Sequence, residues 1–336
     1  MKGGKSMLII TEKEVEKVLC MDKVISVVEE AYKDFDNKKI ISFPRTGGGL
    51  NENGGAYIIL PASHIGKGYF GFKYASSYPD NPSRGVPTVA STILLCDLNT
   101  GFPVSFMGAN YITAMKTASS PAVASKYLSR ERASVVAIIG AGFQSKFQLW
   151  ALSYVRKLEE IRIFDKNLLN AQLLADWYLK NVDAAVNVNI VENTAEAIDG
   201  ADIVTTITTS FKPVFFGKVK AGTHINAMGS FLPEMQEIHE DTVGNADVIA
   251  TDVPQDTWSV AGDLIKAEAK GKLSKDFCIS AMGAIVSGNT PGRQSDDAVT
   301  LFESVGFSAL DIAVAAYAYE TALEKKIGTA INLLDA

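Results

Sequence analysis

Cysteine is scarce. The 336 residues hold three, Cys20, Cys96 and Cys278. They are odd in number and far apart, so no disulfide framework is expected, and they read as reduced, core-filling thiols of a cytoplasmic protein. Histidine is equally rare. His64, His224 and His239 share no metal-ligand spacing with one another or with the cysteines, which leaves no metal site to propose. His224 lies in strand-like text and reads as a satisfied core histidine. An excess of basic residues is also missing: 32 Lys and Arg face 38 Asp and Glu, for a formal charge of -6. Without clustered cations, nothing answers to the displacement of counterions from a nucleic acid. Long apolar runs are absent too. Even Gly101 to Met115 is broken by glycine and polar residues, so no membrane span is expected. The short apolar run within Met1 to Ile10 does not read as a cleaved signal peptide. No G-x-S-x-G elbow and no Walker motif occurs. What remains, 47% apolar and 21% charged, is the make-up of a soluble globular protein with roughly two domains.

The first hundred residues alternate strand-like and turn-like segments. Met7 to Ile10 predicts a strand, and Thr11 with Glu14 predicts a capping box. Two helices follow, the second through Val24 to Phe35, with Val15, Val18, Ile25, Val28, Ala31 and Tyr32 at helical spacing. Thr46 to Gly55, interrupted by Leu50 to Asn53, reads as a Gly-rich turn before the apolar run Ala56 to Pro61. Tyr69 to Ala75 and Val89 to Cys96 predict strands, with a proline-rich loop from Ser76 to Pro87 between them and a hairpin turn at Asp97 to Gly101. Thr113 to Leu128 reads as a helix with Pro121 as a kink point. From Ala133 onward, short apolar strands alternate with helices as far as Val248 to Thr251, the rhythm of a doubly wound parallel sheet. Asp296 and Asp297 are expected to cap a helix through Val299 to Ser304. The tail from Ser308 reads as a helix returning to the first domain. The expected fold is therefore α/β: a Rossmann-type domain over 121–307, and a second, α+β domain from 1–120 and 308–336.

The clearest motif is Val136-Ala-Ile-Ile-Gly140-Ala-Gly142-Phe-Gln-Ser145. A buried strand runs into the first two glycines of G-x-G-x-x-G, with a small serine in third place. Gly140 permits the tight turn, Gly142 lets a pyrophosphate approach the backbone, and the helix start offers free amides. Asp165 stands 25 residues beyond Gly140, where an acid accepts hydrogen bonds from the adenosine ribose and repels a 2′-phosphate. NAD is the expected cofactor, and Lys166 leaves NADP open. Against this stands the plainer reading that Asp165 only caps the helix beginning near Asn167.

With these residues in place, the chain resembles the ornithine cyclodeaminase/mu-crystallin family over nearly its whole length. The likeness rests on Phe43-Pro-Arg45, Gly71-Phe-Lys73, Asn81…Gly85-Val-Pro87-Thr88 and Ile112-Thr-Ala-Met-Lys116-Thr117-Ala118. It continues through the glycine fingerprint, Gly229-Ser-Phe-Leu-Pro233…Glu237, and Pro291-Gly-Arg293…Ser295-Asp296-Asp297 with Leu301-Phe302. The resemblance implies a Rossmann domain holding a nicotinamide cofactor and a homodimerising domain that binds a small amino or imino acid. It implies hydride transfer at the α-carbon. Arg45 matches a ligand of the substrate carboxylate, for which a guanidinium fork is suited. Lys73 matches a substrate-contacting lysine and a proton donor. Lys116 stands where the family commonly has Arg and would meet both carboxylate and cofactor, with its charge kept and its fork lost. Thr88, Thr206 and Ser295 match cofactor contacts. Phe143 and Gln144 lie at the pyrophosphate turn, and Met228 ends a strand beside the nicotinamide. Read from spacing alone, Arg45 is a surface arginine, Lys73 an edge-strand lysine, and the hydroxyl residues turn or cap residues.

One departure bears on the reaction. Ornithine cyclodeaminases carry Asp two residues after the glycine matching Gly229, followed by P-G-K; here the positions read Phe231 and Pro233-Glu234-Met235. A phenyl ring can neither orient nor deprotonate a distal ammonium, and it suits an apolar or cyclic side chain. The expectation is an NAD(P)-dependent reductase of cyclic imino acids or an L-amino-acid dehydrogenase. Ornithine cyclodeamination, with Glu234 as stand-in, and a non-catalytic dinucleotide-binding protein are the alternatives.

Overall fold

A computed structural model describes residues 6–50, 54–216 and 219–333. Met1 to Lys5 of the N-terminal segment, and Asn51 to Asn53 of the Gly-rich stretch, lie outside the described residues. The chain divides into two compact units, one formed by Met1–Lys116 with Phe307–Ala336 and the other by Thr117–Gly306.

The first unit is a mixed eight-stranded sheet. From edge to edge its strands are Thr329–Asn332, Ser6–Ile10, Pro103–Gly108, Val89–Asp97, Tyr69–Ser77, Ala56–His64 and Ile40–Ser42, with Thr46–Gly49 also paired to Ala56–His64. All pairs are antiparallel except Ser6–Ile10 with Pro103–Gly108. Thr46–Gly49 is thus a strand where a turn was expected. Backbone pairing with Ala56 to Ile59 outweighs the poor strand propensity of three glycines. Lys73 lies on an interior strand, paired with Leu60 on one side and Ile93 on the other, and not on an edge. The capping box at Thr11 and Glu14 is formed. The Ser308–Lys325 helix packs against the Met21–Asp36 helix and across the middle of the sheet. It is apolar nearly all round and rich in alanine, as a helix enclosed on most sides must be. Tyr32 and Phe35 close on Phe307 at its start, with ring centroids 5.9 and 5.1 Å away.

In the second unit every pairing is parallel. The strand order is Asn187–Ile190, Glu160–Phe164, Val135–Ile139, Ile203–Thr206, His224–Ala227, Thr300–Glu303, Val248–Thr251, Ser280–Ala281. The first five follow the 3-2-1-4-5 order of a dinucleotide-binding sheet. Alternate residues of one strand feed opposite cores, Ala137 and Ile139 on one face and Val136 and Ile138 on the other. Thr300–Glu303 replaces the helix expected there. All four of its residues are buried between two parallel neighbours, and such a segment pairs as a strand whatever its flanking acids suggest. His224 is a satisfied core histidine, bonded to Thr300 Oγ1 and Asn226 Oδ1 at 2.9 Å each. Burial drives its pKa down to about 3, so it is neutral. Cys96 is buried, but Cys20 and Cys278 are exposed, which corrects the expectation that all three fill cores. Among the described residues, no helix is long and apolar enough to cross a membrane.

Candidate active site

In the second unit the chain reverses its winding at Val135–Ile139, and the glycine turn follows at that strand's carboxyl end. Gly140 has φ +101°, and a Cβ there would come within 2.6 Å of the Ile207 carbonyl oxygen, so only glycine fits. Beside Gly142 the space is open, leaving its backbone approachable. Ser145, the third-position departure, is buried and donates to the Gly140 carbonyl at 2.7 Å, closing the turn from within. Phe143 is exposed beside it, with Lys146 stacked over its ring. Gln144 presents a buried Oε1 with no partner among the described residues.

Asp165 reaches the turn from the next strand. Its Oδ2 accepts from the Ala141 amide at 2.6 Å and its Oδ1 from the Asn167 amide at 2.7 Å, while Asn167 itself caps the helix. Asp165 is therefore a brace between two strand ends and not a helix cap. An approachable glycine, a helix start and an acid on the second strand end fit the pyrophosphate and ribose of a dinucleotide.

Three further positions named in the sequence, Thr206, Met228 and Ser295, lie elsewhere in this unit. Thr206 is buried, and its hydroxyl donates to Glu237 at 2.9 Å. The Met228 amide donates to the Thr206 carbonyl at 3.0 Å, so the ends of their two strands are joined. Ser295 is exposed in a loop, where its carbonyl accepts from Arg293 at 3.0 Å. Phe231 lies in the loop after Gly229 and is 50% exposed.

The first unit carries the cations. Lys73 and Lys116 are both 5% exposed, and both reach one carboxylate oxygen: Asp311 Oδ1 lies 2.8 Å from Lys73 Nζ and 3.6 Å from Lys116 Nζ. Burial is the main cause that draws the Lys73 pKa down, to about 8. Asp311 opposes the fall, while Lys116 and Arg45 add to it. Arg45 is part-buried at the entry to Thr46–Gly49, and its positive charge is felt at Lys73. Thr88 is exposed in the loop before Val89, where its carbonyl accepts from the Tyr78 amide at 2.8 Å. Asp311 was missed by sequence reasoning. Its only signal is a single acid on the otherwise apolar first turns of Ser308–Lys325, and helix-dipole stabilisation accounts for such an acid equally well.

The model of the "Ornithine cyclodeaminase/mu-crystallin family" matches residues 5–326. This chain belongs to that family. It is 34% identical over 326 residues to an alanine dehydrogenase of Archaeoglobus fulgidus, covering 97% of this chain and 98% of that one. A solved structure of Thermococcus litoralis Δ1-pyrroline-2-carboxylate reductase, in complex with NADH and L-proline, superposes with a TM-score of 0.91. It shares 33% identity and is matched over 97% of this chain and all of that one. An archaeal alanine dehydrogenase dimer with bound NAD gives a TM-score of 0.90 at 33% identity, over 98% of this chain and all of that one.

In this family member the carboxyl ends of the parallel strands cover a group of buried acids. Glu237 accepts from Thr206 Oγ1, from the Gly229 amide at 2.7 Å and from the Thr208 amide, joining the ends of two strands. Asp263 Oδ1 accepts from the Glu237 and Ile238 amides at 2.8 Å each, while its Oδ2 has no partner among the described residues. Glu303 is buried with neither oxygen partnered among them. Burial holds Glu237 above the usual carboxylate range, Glu303 well above it, and Asp263 at about 7. Among the described residues no three His, Cys, Asp or Glu side chains are placed to hold a metal ion. A carboxyl whose pKa is higher folded than unfolded binds extra protons in the native state, so its contribution is lost as pH rises through the folded value. We predict that stability contributed by Asp263 declines between pH 4 and 7, and that Asp263→Asn removes this decline. Urea midpoints across that range would check it; identical pH slopes in variant and parent would refute it.

Proposed function

We propose that this protein reduces α-imino acids with NADH and, in reverse, oxidises the corresponding L-amino acids. The observation that carries the reading is the buried cluster of Lys73, Lys116 and Asp311 with Arg45 beside it. Two buried ammonium groups share one carboxylate, which leaves a net positive charge that a small anionic substrate would neutralise. Arg45 and Lys116 would bind the substrate carboxylate. A nicotinamide, when bound in the second unit, supplies or accepts the hydride. Lys73 is charged near neutrality yet acidic enough to release a proton from Nζ to an imine nitrogen. Met228, Thr206, Thr88 and Ser295 are proposed cofactor contacts, with Thr206 acting through its bond to Glu237. The known activities of the relatives, on alanine and on pyrroline-2-carboxylate, support the same chemistry. The exposed Phe231 favours a substrate with an apolar or cyclic side chain over ornithine. We place the protein in the cytoplasm, in keeping with its three free cysteines.

We also propose that the first unit pairs with a second copy of the chain. Strand alternation turns Gly71 and Lys73 toward the Ser308–Lys325 helix, so Phe72 and Tyr74 face the other way. Leu94 pairs with both Phe72 and Phe106, which puts Phe106 on that same outer face. Phe72, Tyr74 and Phe106 are 37%, 36% and 38% exposed, an apolar face of the kind that dimers cover. The dimeric alanine dehydrogenase supports this reading.

Pyrroline-2-carboxylate with NADH should lose absorbance at the nicotinamide band, and ornithine with catalytic NAD should release no ammonia. Proline and ammonia formed from ornithine would instead make the protein a cyclodeaminase, and ligand-induced thermal stabilisation without any turnover would make it a binding protein. Asp165→Ser should lower the NAD-over-NADP ratio of kcat/KM about tenfold, equivalent to ~1.4 kcal/mol; an unchanged ratio would remove Asp165 from the cofactor site. Phe72→Asp should convert a dimer to a monomer in sedimentation velocity, and a monomeric parent would refute the pairing.

A further inference from the structure

We propose that Asp311 is the positioning residue of the imine-reducing site: its carboxylate fixes the Lys73 and Lys116 ammonium groups and makes Lys73, rather than solvent, the proton donor. This rests on the function proposed above.

The geometry is specific. Asp311 is fully buried on the first turns of Ser308–Lys325 and is separated from Lys73 by 238 positions in sequence. One of its oxygens serves both lysines, at 2.8 and 3.6 Å, and the other has no partner among the described residues. The carboxylate is therefore committed to the two ammonium groups and to nothing else described. The charged groups that face Lys73 are Asp311 on its helix, Lys116 on Asn110–Leu128, and Arg45 before Thr46–Gly49. Two of these three are cations, and Lys73 is almost wholly buried. Without Asp311, a buried ammonium between two like charges would discharge. With it, one N–H of the ammonium is held at 2.8 Å, leaving two protons to donate elsewhere.

The step balances simply. As the C=N carbon gains a hydride, the nitrogen takes a proton from Lys73 Nζ, leaving a neutral amine that solvent later reprotonates. In the oxidative direction the neutral amine takes the proton back. Asp311 touches no reacting atom in either direction and acts through Lys73.

The test reads Lys73 itself. In protein labelled with [13Cε]lysine, the Lys73 resonance, assigned by its loss in Lys73→Arg, is titrated by NMR in the parent and in Asp311→Asn. A fall in its midpoint of one pH unit or more in the variant is expected. An unchanged midpoint overturns the proposal, whether or not the protein reduces imines. Asp311→Ser, smaller and able to admit water, serves if the Asn variant does not fold. Where the parent turns over pyrroline-2-carboxylate, the alkaline limb of kcat/KM should move down with the midpoint, and so should the rising limb of L-proline oxidation. A variant that only damages the fold would lower both profiles without moving either limb, and that result would also overturn the proposal. A parent inactive on every imine, with the midpoint shifted as expected, would refute the function above while leaving Asp311 as the group that holds the Lys73 proton.

Discussion

The first unit is organised around a charge almost wholly withdrawn from water. Lys73 sits on an interior strand of a sheet, covered by a helix whose buried residues are mostly apolar, and its ammonium meets one carboxylate. Removing one partner of such a pair costs about 3–5 kcal/mol, because the other is left buried and unmatched. The requirement ties the two ends of the chain together. The strand bearing Lys73 and the C-terminal helix bearing Asp311 must both be in place before either side chain is tolerated. A pair of this kind is weak evidence of stability, since apolar residues would fill the space more cheaply. Its presence is better explained by chemistry that needs an ammonium there.

The second unit has a different constraint, set by backbone. Gly140 leaves no room for a side chain, and Gly142 stands beside open space. Between them the Ala141 amide is held by Asp165, so the acid that would read a ribose also braces the turn that would receive the phosphates. Glu237 does the same for the neighbouring strands, joining Thr206, Thr208 and Gly229. Both acids gather several amides or hydroxyls from separate strand ends. Loops at the strand ends are thus pinned by carboxyls, and a change in one of these carboxyls would move more than one loop.

How much of this was legible depended on how local each signal was. The glycine turn, Asp165 and the Thr11 capping box are readable because the residues that define them lie within one or two consecutive elements. The parallel sheet followed from its alternation of short apolar runs with helices. Thr300–Glu303 was misread because four residues beside two acids resemble a capped helix, and only the flanking strands settle the matter. Thr46–Gly49 was misread because glycine text signals a turn unless a partner strand is supplied. Arg45, Lys73 and Lys116 were named through the family resemblance, since spacing alone favoured surface roles for them. Asp311 was invisible because its meaning depends on a lysine 238 positions away.

The lysine at position 116 gains a reason from this geometry. The family pattern that the sequence resembles has arginine there, and a guanidinium fork would tend to take both oxygens of the nearest carboxylate. An ammonium is a compact point charge, and at 3.6 Å from Asp311 Oδ1 it leaves the shorter 2.8 Å bond to Lys73 intact. With the proposed role for Lys116, the exchange would weaken the grip on a substrate carboxylate while leaving Asp311 chiefly to Lys73. With Phe231 in place of an acid, the chain has given up a fork for the carboxylate and an acceptor for a distal amine. Both changes would bear on which substrate is held and would leave the proposed proton-handling pair of Lys73 and Asp311 untouched. On the proposed function, the substitutions would alter substrate selection around an unchanged step, hydride to carbon and proton to nitrogen.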